Sequence, residues 1–163
     1  MELLDLYDDS GCKLDKTIGR GEVPNDGENI MLSVAFIKNK EGKYLIQKSS
    51  NQKGGFYTST GGHVTHNEDD LTTIIRELVE EISITNVEDQ IKHVITFKYP
   101  DRYCLFAVYL IKDVDIDITK LKLQKEEVES ISWLSKKEIL ELIDEGSFLE
   151  SHGYIFKNYI IKE

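Results

Sequence analysis

Apolar residues in this chain follow two rhythms, one of strands and one of helices. Compact or alternating apolar runs occupy residues 1–7, 31–37, 43–48, 91–97, 103–111 and 128–134. Each is short and bounded by turn-forming residues, so each predicts a strand. The D-D-S-G that follows Tyr7 predicts a hairpin returning over residues 12–16, and N-K-E-G predicts another between the 31–37 and 43–48 runs. Y-P-D-R joins the strands at 91–97 and 103–111. A further short strand is expected at 56–59, within the long loop S-S-N-Q-K-G-G-F-Y-T-S-T-G-G. The segments T-I-G-R-G-E-V-P-N-D-G-E-N and 113–124 are expected to be irregular.

The second rhythm has a spacing of three and four. Leu71, Ile74, Ile75, Leu78 and Ile82 form one apolar stripe, which predicts an amphipathic helix. Asn67 is the expected N-cap, with Asp69 and Asp70 in the first turn facing the positive end of the helix dipole. Ser135, with Glu138 three residues on, predicts a capping box for a second helix that stops at Gly146. Residues 148–162 suggest a further short helix carrying Phe156, Tyr159 and Ile160. With no internal repeat, low-complexity tract or linker, the pattern reads as one mixed α/β domain over residues 1–163 with an N-terminal hairpin.

Composition narrows the function more than the fold. The net charge is −10. Duplex nucleic acid and anionic membrane surfaces are held mainly by basic residues, so both are disfavoured as partners. No apolar run approaches the roughly 18 residues that span a bilayer. The acidic start M-E-L-L-D-L-Y-D-D-S does not resemble a secretory signal, which points to the cytoplasm. Cys12 and Cys104 lack metal-ligand spacing and read as reduced thiols. An acidic protein can still take small anionic ligands if cations are interposed.

The chemistry concentrates between Gly61 and Ile84. The segment reads as a tight glycine turn, a polar loop and the helix above. It carries Glu68, Asp69, Asp70, Glu77, Glu80 and Glu81, with Glu88 a turn further on, against Arg76 as its single Lys or Arg. At about 100° per residue, Glu77, Glu80 and Glu81 share roughly one quadrant of the helix. Like charges at these spacings repel, and two of them lie in the last turn, where the dipole disfavours negative charge. Oxygen ligands gathered on a rigid face are what Mg²⁺ or Mn²⁺ requires. A solvated acidic face would give the same spacing.

The segment resembles the box of the Nudix hydrolases, G-x5-E-x7-R-E-U-x-E-E-x-G-U, where U is a bulky aliphatic residue. Gly62, Glu68, Arg76, Glu77, Leu78, Glu80, Glu81 and Ile84 match it in register. Ser83 stands where the family has glycine, which puts the helix exit in question. The order of elements resembles the family across nearly the whole chain. The resemblance implies the Nudix fold, an α/β/α sandwich with a mixed central sheet. It also implies Mg²⁺-dependent hydrolysis of the diphosphate in a nucleoside diphosphate derivative or related small diphosphate. By this resemblance Glu77, Glu80 and Glu81 hold the metal, with Mn²⁺ able to substitute. Glu81 or a neighbour activates water, Arg76 orients the glutamates, and Glu68 supports the site or a further metal. A glutamate outside the box often assists in the family, and Glu126 or Glu127 lies where one could arise, although K-E-E-V-E also reads as a solvated approach to a strand. A non-catalytic nucleotide sensor on the same fold is the alternative.

Other features bear on specificity. His63 after G-G, and the N-terminal hairpin, resemble a subgroup akin to isopentenyl diphosphate isomerase, but the catalytic cysteine of that enzyme is missing. His63 and His66 form an H-x-x-H in a loop, a weak pattern for zinc. Arg20 could meet a phosphate or lie solvated. Phe56, Tyr57, Tyr99, Tyr103 and Trp133 could stack on a base or form core and pocket wall. The partner implied is a small diphosphate substrate, with a homodimer as a possible assembly.

Overall fold

The computed structural model describes residues 1–163. In chain order the elements are β1 (Leu3–Tyr7), β2 (Lys13–Gly19), β3 (Ile30–Asn39), β4 (Tyr44–Ser49), β5 (Tyr57–Thr58), β6 (Thr60–His63) and α1 (Asp70–Ile82). They continue with β7 (Ile91–Lys98), β8 (Cys104–Val114), β9 (Val128–Leu134), α2 (Lys136–Asp144) and α3 (Glu150–Ile155), which runs on into a π turn over Phe156–Ile160.

The sheet is mixed and centred on β3. This strand runs parallel to β8 from the Ile30–Cys104 pair to the Asn39–Val114 pair, and β7 lies antiparallel on the far side of β8. Strands central to a sheet are buried on both faces, which explains why both read as continuous apolar runs. Side chains alternate between two cores. Met31, Ala35, Ile37, Leu105, Ala107, Tyr109 and Ile111 face α1, where Ile74, Leu78 and Ile82 pack with no exposed surface. Val34, Phe36, Phe106, Val108 and Leu110 face α2 and α3, meeting Ile139, Ile155, Phe156 and Ile160. The result is an α/β/α sandwich. No helix is long and apolar enough to cross a membrane.

The sheet divides beside β3. Strands β3 and β4 form a hairpin, yet only Lys38 and Tyr44 are in register. Beyond that point β4 pairs with β9 and β5, while β6 takes the vacated edge of β3 from Leu32 to Ala35. Ser59 is the single residue between β5 and β6, so it carries the chain from one half of the sheet to the other. A pocket opens at this division.

Several boundaries differ from the sequence pattern. Strand β2 continues to Gly19, through residues expected to be loop, because Leu3–Asp5 offers Thr17–Gly19 an antiparallel partner. The G-G at 61–62 is strand, not turn, and neither glycine has a positive φ. The N-cap of α1 is Asp69 in place of Asn67. The Asp69 carboxylate accepts from the Thr72 amide at 2.7 Å, whereas Asn67 adopts a left-handed φ of 66° and gives its amide to Asp5. The stripe of α1 also shifts: Leu71 is exposed and Ile75 half-buried, and Thr73 is buried in their stead, bonded to Glu68. The segment after β8 is not wholly irregular, since β8 itself reaches Val114 and a 3-10 turn forms at Ile118–Lys120. Helix α2 has the expected capping box at Ser135 and Glu138, and Gly146 after it takes a φ of 78°.

Ser83 resolves the question at the helix exit. It adopts the left-handed conformation, φ 55°, that glycine takes without cost. Its amide bonds Val79 O at 3.0 Å, and its hydroxyl accepts from the Lys122 amide at 2.7 Å. The helix therefore ends at Ile82 as a glycine would end it. Leu78 seals α1 to the sheet, so Leu78→Ala should destabilise the fold by about 2–5 kcal/mol in denaturant titrations, without displacing the acidic face.

Candidate functional site

The site is built where β6 meets α1. Gly62 lies so close to the helix that a Cβ there would stand 2.3 Å from Glu77 Oε1. At Gly61 a Cβ would stand 2.9 Å from the Ser33 carbonyl oxygen and 3.2 Å from His152 Cε1. The two glycines thus serve close approach, not chain reversal. They let the carboxylates of α1 reach the edge of the sheet.

Arg76 organises one side of the acidic face. Its Nε and Nη2 donate to Glu68 Oε2 and Oε1 at 3.0 and 2.9 Å, a two-pronged grip. Its Nη1 donates to Glu77 at 3.1 Å and to Glu80 at 3.2 Å. Thr73 and Thr65 hydroxyls also donate to Glu68. The Arg76 bonds, chiefly, hold the Glu68 carboxyl at about 2. Both Glu68 oxygens are engaged, which fits support of the arginine.

Glu81 faces the other way. Its Oε1 is buried with no hydrogen-bond partner. Burial first, then the neighbouring charges of Glu77 and Glu127, push its carboxyl up to about 8, against a weaker opposing pull from the Gly61 backbone. Burial also raises Glu77, with Arg76 opposing it. A carboxylate in this state needs either a proton or a cation.

No three His, Cys, Asp or Glu side chains are gathered tightly enough to cage an ion as they stand, since Glu77 and Glu80 are turned onto Arg76. The chemistry of the donors nevertheless fits a hard divalent cation: an unpartnered buried oxygen on Glu81, with Glu77, Glu80 and Glu127 close enough to raise its proton affinity.

Glu81 and Glu127 both line a pocket of about 290 Å³ at the division of the sheet. Its apolar wall includes Leu32, Val34, Phe56 and Leu149, and His152 lies beside them. Arg20 from the end of the N-terminal hairpin, Lys53 from the 3-10 turn Asn51–Lys53, His63 from β6 and Gln47 from β4 also reach it. Arg20 is ion-paired with Glu2 and Lys53 with Glu127, both at 3.3 Å and both half-exposed. Such exposed pairs are worth roughly 0–1 kcal/mol, so either cation is free to turn to a ligand. Burial and then the Arg20 charge hold the His63 imidazole below its ordinary value.

The structure thus separates alternatives that the sequence left open. Glu127 joins Glu81 in the pocket, while Glu126 is exposed and offers its carbonyl to Ser50 at 2.6 Å. Arg20 reaches the pocket. Of the five aromatic candidates only Phe56 lines it; Tyr103 instead bonds Asp26, and Trp133 packs toward the α1 core. His63 and His66 diverge, His66 bonding Asp5 at 2.8 Å. His152, Gln47 and Lys53 had no motif to announce them and enter the site through topology alone.

Comparison with known proteins gives the following matches. Residues 32–153 match the family model described as the NUDIX domain. An uncharacterized Nudix hydrolase from Nostoc sp. is 29% identical over 153 residues, spanning 90% of this chain and 88% of the relative. A crystal structure from Deinococcus radiodurans shares the fold at a TM-score of 0.74 and 19% identity, covering 90% of this chain and 91% of that one. A bifunctional NMN adenylyltransferase/ADP ribose pyrophosphatase from Francisella tularensis, complexed with AMP and a Mn ion, aligns at a TM-score of 0.67 and 20% identity. That alignment covers 84% of this chain and 41% of the Francisella protein.

The raised Glu81 carboxyl has a consequence for stability. The folded state holds this proton more tightly than the unfolded chain does. In EDTA the contribution of the neutral form is therefore fully present below about 4.5 and is lost as pH rises through about 8. Unfolding free energy measured across that interval should fall, Glu81→Gln should flatten the slope, and added Mg²⁺ should restore stability at the alkaline end.

Proposed function

Because this chain belongs to the Nudix family and is a hydrolase acting on pyrophosphate bonds, we propose that it cleaves the diphosphate linkage of a nucleoside diphosphate derivative or related small diphosphate in the cytoplasm, with Mg²⁺ as its cofactor. The observation that carries this reading is the buried, unpartnered Oε1 of Glu81 at the edge of a pocket that also presents Arg20 and Lys53. Acids at one end and bases along the wall suit a ligand whose phosphates are neutralised partly by metal and partly by protein.

Glu77, Glu80 and Glu81 would hold the cation, and Mn²⁺ could replace it, as the manganese in the Francisella fold neighbour supports. When bound, the cation supplies charge neutralisation at the phosphate oxygens and a more acidic water. The remaining roles fall to the chain itself. Arg76 shares its charge among Glu68, Glu77 and Glu80, which keeps the repelling carboxylates on one face. Glu81 or Glu127 can take the proton of the attacking water, since both reach the pocket. Arg20, and Lys53 once it turns from Glu127, can grip the phosphates. The apolar wall excludes water from the organic part of the substrate.

Release of phosphate products should be measured on a panel of nucleoside diphosphate derivatives, dinucleoside polyphosphates and non-nucleotide diphosphates at saturating Mg²⁺. Glu81→Gln and Glu80→Gln should each lower kcat by about a hundredfold or more, with thermal melts close to the parent protein. Undiminished turnover in both variants would overturn the assignment.

A further inference from the structure

His152 is buried, with 7% of its surface exposed, yet it lines the pocket. Its Nδ1 stands 2.8 Å from Thr58 Oγ1 and 2.7 Å from Ser59 Oγ. The Thr58 hydroxyl donates to the Ser59 carbonyl at 3.1 Å, so Thr58 turns lone pairs, not its hydrogen, toward the ring. Two oxygens on one ring nitrogen, one of them with its hydrogen committed elsewhere, are accommodated when that nitrogen carries the hydrogen. On this ground we assign the ring hydrogen to Nδ1, which leaves Nε2 its lone pair.

That Nε2 has no hydrogen-bond partner in the protein, since every His152 contact is made through Nδ1. Glu81 Oε1 is the one sealed side-chain polar atom without a partner, so Nε2 is open to the pocket and to a ligand held there. The ring is also fixed from several sides. Thr58 and Ser59 hold Nδ1, and Gly61 leaves room for Cε1 that any side chain would take away. Burial holds the imidazole down at about 4, so Nε2 remains an acceptor at neutral pH.

We propose that His152 Nε2 accepts a hydrogen bond from an O–H or N–H on the organic half of the substrate, which makes His152 a specificity-determining residue. The inference rests on the diphosphate hydrolase reading above and adds a recognition rule to it. Glu81 and Glu127 mark the acidic end of the pocket, and Arg20 and Lys53 serve the phosphates. The wall formed by Leu32, Val34, Leu149 and His152 is left for the sugar or base, and Nε2 is the acceptor on it.

The test compares an adenosine diphosphate-linked substrate with analogues lacking each ribose hydroxyl, or the exocyclic amino group, in turn. In the parent protein one analogue should lose about tenfold or more in kcat/KM, and its identity tells whether sugar or base supplies the donor. His152→Phe should erase that gap. A ratio measured on one sample is independent of how much of it is folded; should His152→Phe not fold at all, Thr58→Val, which removes one of the two oxygens that hold Nδ1, should narrow the same gap. If nothing in the panel is hydrolysed, the hydrolase reading fails, and the same ratio is read from dissociation constants by calorimetry. A parent protein indifferent to every analogue, or a gap that survives in His152→Phe, would overturn the proposal.

Discussion

Arg76 is the cation on which Glu68, Glu77 and Glu80 converge, and the acidic face depends on it. Without it, three carboxylates on the helix and a fourth in the preceding loop would repel one another, and two of the helical three lie in the last turn, where the dipole disfavours negative charge. The grip is unequal. Glu68 takes two bonds and anchors the guanidinium; Glu77 and Glu80 share the remaining nitrogen. A cation divided in this way restrains the two acids without satisfying them. Glu81 lies outside its reach and carries the unmet demand of the site.

The acidic part of this arrangement was largely legible in the sequence, because it is local. Glu77, Glu80 and Glu81 sit within five residues, and a helix of fixed pitch puts them on one face whatever the rest of the chain does. The strands at β3, β7, β8 and β9 were legible for a similar reason, as compact apolar runs. The fixed gaps from Gly62 to Ile84 also carried the family, and with it the sandwich.

What the pattern concealed was set by long-range pairing. Gly61 and Gly62 look like a turn until the free edge of β3 is known to lie beside them. Asn67 and Asp69 are equally good caps by composition; the choice fell to Asp69 because Asp5, more than sixty residues away, draws Asn67 into the loop. Arg20, Lys53 and His152 come from three segments that meet only because the sheet divides between β3 and β4. Nothing in their immediate neighbours marks them. Ser83 runs the other way: a departure from the family pattern that looked consequential is absorbed by a left-handed backbone and one hydrogen bond from Lys122.

The bare backbone of β6 has an effect beyond sterics. It lets the Glu77 carboxylate stand against the strand, where its charge adds to burial in raising the proton affinity of Glu81. Acidity at Glu81 thus depends in part on the side chain that Gly62 lacks. A single methyl group at residue 62 would displace the Glu77 carboxylate, one of the charges that raise Glu81, and so change how tightly Glu81 holds a proton even with every acid of the site still in place.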